Sequence, residues 1–416
     1  MLDINFIRDN LELCKTAAKN KNREVNWDAL LAADDKRREL IAQTEKLRAE
    51  RNQIGRTQNT EHNDQQRGRE IKQELKTLEE ELRGVEESFG LLMLTVPNVP
   101  DESVPVGKDE SENVEIRTWG ETPKFDFPVQ DHIALAKSLD LIDFERGAKV
   151  GGSRAFFLKN EAAQLEFALL FYTFNKLIGK GYTPIIAPSL VREFTLIGVG
   201  QFPWGKEEVY HLEKDDQYLA GTAEQTVTAY YSDEVLLEKE LPKKFVAFSP
   251  CFRREAGSYG KDTKGVYRVH QFNKVEQVII STNDMNTSYT LHEELLRNSE
   301  EILQDLALPY RVLLMCTGDM GEPQVKKYDI ETWMPGRNAY GETMSNSIMG
   351  EFQARRLKIR YKTKDGAIKF VHTLNNTAIA SPRILVAILE NYQQADGSIK
   401  IPTVLQPLMR KDVIKR

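Results

Sequence analysis

Cysteine is scarce in this chain. Cys14, Cys251 and Cys316 are far apart and odd in number, so no disulfide framework or CxxC pair can be drawn. A reducing cytosol, and hence a cytoplasmic protein, is expected. The six histidines are scattered and none stands at HExxH or another zinc-ligand spacing, so no structural zinc is expected. There is no Walker loop and no GxGxxG after a strand; a nucleotide would have to bind by another scheme. Long apolar runs are missing too, since Phe89 to Val96 falls far short of a membrane span. The start, MLDINFIRD, lacks the basic-then-apolar order of a secretory signal. Neither sign of charge dominates: 57 basic against 63 acidic residues give −6, which excludes a general polyanion binder but leaves room for a local basic patch. What remains, 416 residues with 40% hydrophobic and 29% charged, describes a soluble globular chain of two or three domains.

Two regions with different patterning follow. Residues 27 to 93 predict a long helical hairpin. Asn26 can cap its first helix, and Trp27 to Ile54 contains neither proline nor glycine. The second helix carries Ile71, Leu75, Leu78, Leu82, Val85, Phe89 and Leu92, whose steps alternate four and three as a heptad seam does. The first answers more weakly, with Leu40, Leu47 and Ile54 seven apart. The polar stretch 55–66 makes the tip, so an antiparallel two-helix coiled coil is expected, with Leu2 to Ala18 adding a shorter amphipathic helix. Between Lys46 and Lys76 stand eight Lys/Arg and five Asp/Glu, so the outer hairpin is +3 inside a chain of −6. That is the correct sign for touching phosphates, although charged coiled-coil faces are usually only solvated. Val96 to Lys108 (VPNVPDESVPVGK) holds three prolines and is the clearest linker. Beyond it, Val/Ile/Tyr/Phe-rich runs alternate with helices at 161–178, 285–306 and 378–394. The strands come in hairpin succession (244–253, then 266–280), which predicts an α+β domain with an antiparallel sheet flanked by helices.

Three clusters carry candidate chemistry. In FSPCFRREAGSYGKDTKGVYRVHQFNKVEQ (248–277) two strands flank a loop at 256–265. Strand alternation puts Arg253 with Glu255, and Arg268 with Phe272 and Glu276, so one face presents two guanidiniums, two carboxylates and a ring. His270 shares that face by parity and is read as structural support. In YDIETWMPGRNAYGETMSNSIMGEFQARRLKIRY (328–361), Glu342 and Ser345 could offer oxygens to magnesium, which takes few protein ligands alongside phosphate. In HTLNNTAIASPRILVAILENYQ (372–393) a strand ends in Asn375, Asn376 and Thr377 and a helix begins near Ala378, with Arg383 in its second turn. No Ser-His-Asp or Cys-His arrangement is present.

The chain resembles the seryl-tRNA synthetases of class II over essentially its whole length. The resemblance rests on GYTPIIAPSLV (181–191, motif 1), GTAEQ (221–225), the FRREAG…RVHQFNKVE hairpin of motif 2, CTGDMGEPQVKKYDIE (316–331), FQARRLKIRY (352–361) and TLNNTAIASPRILVAILENYQ (373–393, motif 3). It implies an arm with linker over 1–108 and a class II catalytic domain over 109–416. It implies that serine is joined to tRNA(Ser), and to tRNA(Sec) where one is present, through an ATP-derived seryl-adenylate. Arg253, Glu276 and Arg383 are the implied catalytic residues. Serine would rest on Thr222, Ala223, Glu224, Arg253, Glu276, Asn375 and Thr377. ATP would lie bent across Arg253, Arg254, Glu255, Arg268, Val269, Phe272, Glu342, Thr343, Met344, Ser345 and Arg383, its adenine between Phe272 and Arg383. Glu342 and Ser345 would hold Mg2+. The arm would grip tRNA, and motif 1 would form a homodimer interface.

One string departs from the family. Where the pattern reads Glu-x-Ser-Ser-x-Ser-Asn, this chain has Met344 in place of a serine and Ile348 in place of the asparagine. The departure keeps two rivals in view: a catalytically altered paralogue acting as a binding module, and an amino-acid:carrier-protein ligase on the same adenylating core.

Overall fold

The side chain of Asn26 accepts a hydrogen bond from the amide of Ala29 (3.0 Å). This cap opens the first of two long helices in the N-terminal unit. The computed structural model describes residues 1–56, 62–257 and 264–416, so positions 57–61 of the predicted tip and 258–263 of the loop lie outside the described residues, and the rest of the tip belongs to the two helices. Two compact units emerge, Met1–Pro97 and Asn98–Arg416.

In the first unit, α1 (Ile4–Asp9) and α2 (Leu11–Asn20) replace the single helix expected over 2–18. The break is at Asn10, whose backbone leaves the helical region (φ −130°, ψ 40°) while its side-chain amide (3.0 Å) and its backbone N–H (2.9 Å) both donate to the carbonyl of Phe6. The hairpin consists of α3 (Trp27–Arg56) and α4 (His62–Leu94). Ile71 and Leu75 of the predicted seam are buried, as are Leu30 and Leu40 opposite. The seam of α3 reads weakly because one of its buried positions is Asp34. Its carboxylate is ion-paired to Arg8 (2.7 Å), Arg37 (2.7 Å) and Arg38 (2.8 Å), which makes a charge at that depth tolerable.

The second unit is built on an eight-stranded sheet. Its strands are β1 (Val114–Trp119), β2 (Thr183–Ile186), β3 (Lys243–Phe252), β4 (Gln271–Ser281), β5 (Tyr310–Leu314), β6 (Lys326–Met334), β7 (Ala339–Gly350) and β8 (His372–Ala380). The spatial order is β1-β5-β6-β7-β8-β4-β3-β2. Only β2, the motif 1 strand, runs parallel to its neighbour; the other pairings are antiparallel. Helices α5 (Asn160–Gly179), α7 (Met285–Asp305) and α9 (Ser381–Asn391) cover one face, where Leu165, Leu295, Ile348, Leu374 and Ile384 form the main core. Two short helices, α6 (Ala223–Thr228) and α8 (Phe352–Leu357), cover part of the other face and pack Ala223 and Ala354 on Val278. The rest of that second face is open, and the candidate site lies there. The segment after Pro97 runs along this unit, with the amides of Asn98 and Asp101 donating to the carbonyls of Glu322 and Val325 (both 2.8 Å).

Candidate active site

Strand register decides which side chains meet. On β4 the even spacing of Phe272, Lys274 and Glu276 places all three on the open face. On β8, Thr377 stands opposite Glu276, and Asn375 opposite Val278 on β4 and Ser347 on β7. Two bulges were not legible beforehand. Ala378 is an extra residue opposite β4, and Thr343 is an extra residue opposite β6. The second matters chemically: Glu342 and Ser345 are three apart, which in a regular strand would put them on opposite faces, and the bulge returns them to one. The Thr343 hydroxyl pins the bulge, meeting the Thr332 hydroxyl (2.7 Å) and donating to the carbonyl of Ile330 (3.2 Å).

The motif 2 hairpin corrects the parity argument. β3 stops at Phe252 and β4 starts only at Gln271, so Glu255, Arg268, Val269 and His270 are not strand residues. Glu255 has a left-handed backbone (φ 55°), and its carboxylate meets Arg268 through an ion pair of 2.7 Å rather than through alternation. His270 accepts the amide of Arg253 on its carbonyl (2.9 Å), and its Nδ1 faces the carbonyl of Arg253 (3.0 Å), a bracing role. The helix expected from Ala378 begins at Ser381, because the strand continues through Ala380 and Ser-Pro then opens the helix. Arg383 therefore lies in the first turn, where a cation is disfavoured by the helix dipole. It is held there by the carboxylate of Glu342 (3.1 Å) and the carbonyls of Glu342 (2.9 Å) and Tyr267 (3.2 Å), with its guanidinium over the Tyr267 ring. Arg253 lies over Phe272.

Two adjoining cavities, of about 570 Å³ and about 240 Å³, share Arg253, Glu255, Arg268, Glu342 and Arg383 in their walls. Thr222 and Glu224 line the larger; Val269, Phe272, Thr343, Met344, Ser345 and Thr377 line the smaller. Arg254 is exposed and lines neither; its amide donates to the carbonyl of Glu208 (2.9 Å). Thr222 caps α6, its hydroxyl accepting the amide of Glu224 (3.1 Å), while Ala223 is buried beneath. Glu224 accepts from Gln353 (2.8 Å), which in turn accepts from Thr373 (2.6 Å). Burial, and then the neighbouring Glu276, push the Glu224 carboxyl up to about 7 against the pull of Gln353, Lys274 and Arg253. Glu342 behaves oppositely. Burial raises its carboxyl, but Arg383 and Lys327 outweigh that and hold it well below the usual range, so it stays ionised. Glu276 is only 1% exposed; its Oε2 pairs with Lys274 and receives the Thr377 hydroxyl (3.4 Å). Asn375 is buried with its Nδ2 lacking a hydrogen-bond partner, a donor available to a ligand.

Sequence reasoning passed over Lys274, Gln353 and Tyr267. Lys274 was recoverable, since it shares the even spacing of Phe272 and Glu276. Gln353 and Tyr267 reach the site from a helix and a loop, with no periodicity to reveal them. Among the described residues no three His, Cys, Asp or Glu side chains converge on a metal position, and no helix is long and apolar enough to cross a membrane.

Comparison with known proteins gives the same picture at both ends of the chain. The family model of the class II tRNA synthetase core domain (G, H, P, S and T) matches residues 208–392, and that of the seryl-tRNA synthetase N-terminal domain matches residues 1–100. A serine–tRNA ligase of Rubrobacter xylanophilus is 44% identical, covering 100% of this chain and 99% of its own. That of Deinococcus radiodurans is 45% identical over 98% and 97%. Among solved structures, the Pyrococcus horikoshii seryl-tRNA synthetase complexed with ATP superposes with a TM-score of 0.92 at 40% identity, covering 100% of this chain and 99% of the other.

Proposed function

The chain belongs to the seryl-tRNA synthetases, enzymes that activate serine with ATP and join it to tRNA, and from that premise we propose how its own residues do so. One observation carries the reading: three guanidiniums, Arg253, Arg268 and Arg383, border the same cavity as Glu224, whose carboxyl feels the neighbouring buried carboxylate of Glu276. The guanidiniums fit a polyphosphate and the carboxylates fit the ammonium of an amino acid.

Serine places its ammonium on Glu224, Thr222 and Glu276, and its hydroxyl on Glu276 and Thr377, with Asn375 alongside. Arg253 grips the α-phosphate and the serine carboxylate, while Arg268 and Arg383 take the outer phosphates. Phe272 provides the adenine platform, and Val269, Glu255, Thr343 and Met344 line it. A serine carboxylate oxygen then bonds to the α-phosphorus as the bond to pyrophosphate breaks. A hydroxyl of the terminal ribose of tRNA next takes the seryl group, and AMP leaves. No protein nucleophile is needed; catalysis is alignment plus stabilisation of charge already on the substrates. Glu342 and Ser345 fit Mg2+, because the bulge aligns them and Glu342 stays ionised; two protein oxygens suit an ion that shares its shell with phosphate. When bound, the ion neutralises phosphate charge. Alanine is refused because it would leave Glu276 and Thr377 unpaired.

The same reading assigns tRNA to the arm of residues 1–108 and adenylation to residues 109–416. Support for the arm lies in its exposed basic residues: Lys46, Arg51, Arg69, Lys72 and Lys76 face solvent, while Arg67 is taken up by Glu50 (2.8 Å) and Glu74 (3.0 Å). A homodimer is supported by the motif 1 region, where Phe167 on α5 is 75% exposed and Ile186 on β2 is 80% exposed. A cytoplasmic location is supported by the three cysteines, all of them free and buried. Neither rival is favoured: Arg253, Glu276, Glu342 and Arg383 are all retained against a silent paralogue, and the N-terminal match argues against a carrier-protein ligase. Amino-acid-dependent ATP–pyrophosphate exchange across all amino acids tests the assignment. Exchange should need serine and Mg2+; threonine or alanine supporting it as well as serine does would overturn the pocket.

A further inference from the structure

Lys274 is a buried cation with no task in the mechanism above. Only 3% of it is exposed, it sits on β4 between Phe272 and Glu276, and it lines the smaller cavity. Its ammonium donates to the Thr222 hydroxyl (2.7 Å) and pairs with Oε2 of Glu276. Burying a lysine and a glutamate together is expensive, and an apolar pair of similar volume is often as stable. Stability alone is therefore a weak reason for the pair.

Three features of its geometry point to the substrate. Glu276 is a carboxylate close enough to Glu224 to raise the cost of ionising it. A substrate with a single ammonium could compensate only one of them, and Lys274 supplies the second positive charge. The contacts of both Lys274 and Thr377 fall on Oε2 of Glu276. Neither contact falls on Oε1, which leaves that oxygen for the substrate hydroxyl in the proposed reading. Lastly, Thr222 is the cap of α6, the helix that carries Glu224. A bond from β4 to that cap fixes the distance between the two carboxylates.

We propose that Lys274 is a positioning residue for the amino-acid substrate: by tying Glu276 to Thr222 it makes the pocket accept one ammonium together with one hydroxyl. The inference rests on the assignment of Glu224 and Glu276 to serine. Lys274 borders the cavity assigned to ATP as well, but its ammonium is engaged by Thr222 and Glu276, both assigned to serine.

The test is steady-state ATP–pyrophosphate exchange by the full-length enzyme, comparing wild type with Lys274→Gln and Lys274→Arg. Loss of a charged hydrogen bond of this kind amounts to about 10- to 100-fold. Lys274→Gln should raise KM for serine by that factor, leave KM for ATP within about twofold, and narrow the preference for serine over alanine by a similar factor. Lys274→Arg, which keeps the charge but not the reach, should fall between. A Gln variant with unchanged serine KM and preference, or with serine and ATP affected equally, would overturn the proposal. If the Gln variant does not fold by circular dichroism, the Arg variant decides: wild-type serine parameters there would reduce Lys274 to a folding charge. Wild-type enzyme that showed no serine-dependent exchange would instead sink the underlying pocket assignment, so the two failures are distinguishable.

Discussion

Serine affinity should depend on pH through Glu224. Its carboxyl is raised to about 7 by burial and by Glu276, with Lys274, Arg253 and the Gln353 amide pulling the other way. An ammonium ligand binds the ionised form, so the proton must leave before serine is held. The sign follows: KM for serine should fall as pH rises through 7 and climb as pH drops below it. About one-tenth of the sites are ionised one unit below the pKa and about nine-tenths one unit above, so KM should differ by about tenfold between pH 6 and pH 8. ATP–pyrophosphate exchange at saturating ATP, run in half-unit steps from about pH 5.5 to about pH 8.5, measures this; the window brackets the value at which Glu224 titrates. Glu224→Gln removes the titrating group, and its KM, though higher, should lose the slope. A flat wild-type profile, or an equal slope in the Gln variant, would refute the reasoning, because the titration would then belong to another group or not bear on serine at all.

Four further outcomes are expected. Arg253→Ala should slow adenylate formation by about 10²- to 10³-fold in single-turnover assays while its melting temperature stays near wild type. Ile348→Asn should change activation per folded molecule little, because Ile348 is buried on the helix-packed face, but should cost about 2–4 kcal/mol in urea unfolding by placing an amide in the core. Phe167→Glu should shift sedimentation from dimer toward monomer if the exposed apolar residues of α5 and β2 form the interface. Replacing residues 43–82 by a short turn should leave serine activation nearly unchanged and abolish transfer to tRNA, and the tRNA affinity of the intact enzyme should weaken steeply with salt, by as much as one counterion for each arm cation that meets a phosphate. A truncated enzyme that still charged tRNA normally would make the arm a spacer.

The helical hairpin and the antiparallel sheet were legible because their signals are periodic. Heptad steps mark α4 directly, and even spacing puts Phe272 and Glu276 on one face. Legibility fails wherever an irregularity resets the period. The bulge at Thr343 turns Glu342 toward Ser345, and the bulge at Ala378 brings Thr377 opposite Glu276. No composition rule announces either. Glu255 and Arg268 reach the shared cavity from outside the strands, through a left-handed residue and an ion pair, so parity grouped them for the wrong reason. The start of α9 was misplaced because Asn375 to Ile379 carries no strand signature stronger than the helix pattern that follows. Gln353, which fixes Glu224, belongs to a string whose resemblance was noted without its geometry being knowable.

The site's electrostatics explain how so many charges sit together before any substrate arrives. Arg268 is paired with Glu255, Arg383 with Glu342 and Lys274 with Glu276. Two of the three guanidiniums proposed to meet a phosphate, Arg268 and Arg383, thus have a carboxylate partner, while Arg253 donates to the carbonyl of Gly221 (3.3 Å); the pairing offsets the several kcal/mol that an unpaired charge at this depth would cost. A triphosphate entering the cavity competes with Glu255 and Glu342 for the same guanidiniums, and its binding energy is the difference between two sets of ion pairs, not the sum of new ones. The carboxylates so displaced do not become idle. In the proposed reading Glu342, kept ionised by Arg383 and Lys327, would offer its oxygens to Mg2+ together with Ser345. The carboxylates fix Arg268 and Arg383 in this reading, so the alignment on which in-line attack depends would rest largely on the fold itself.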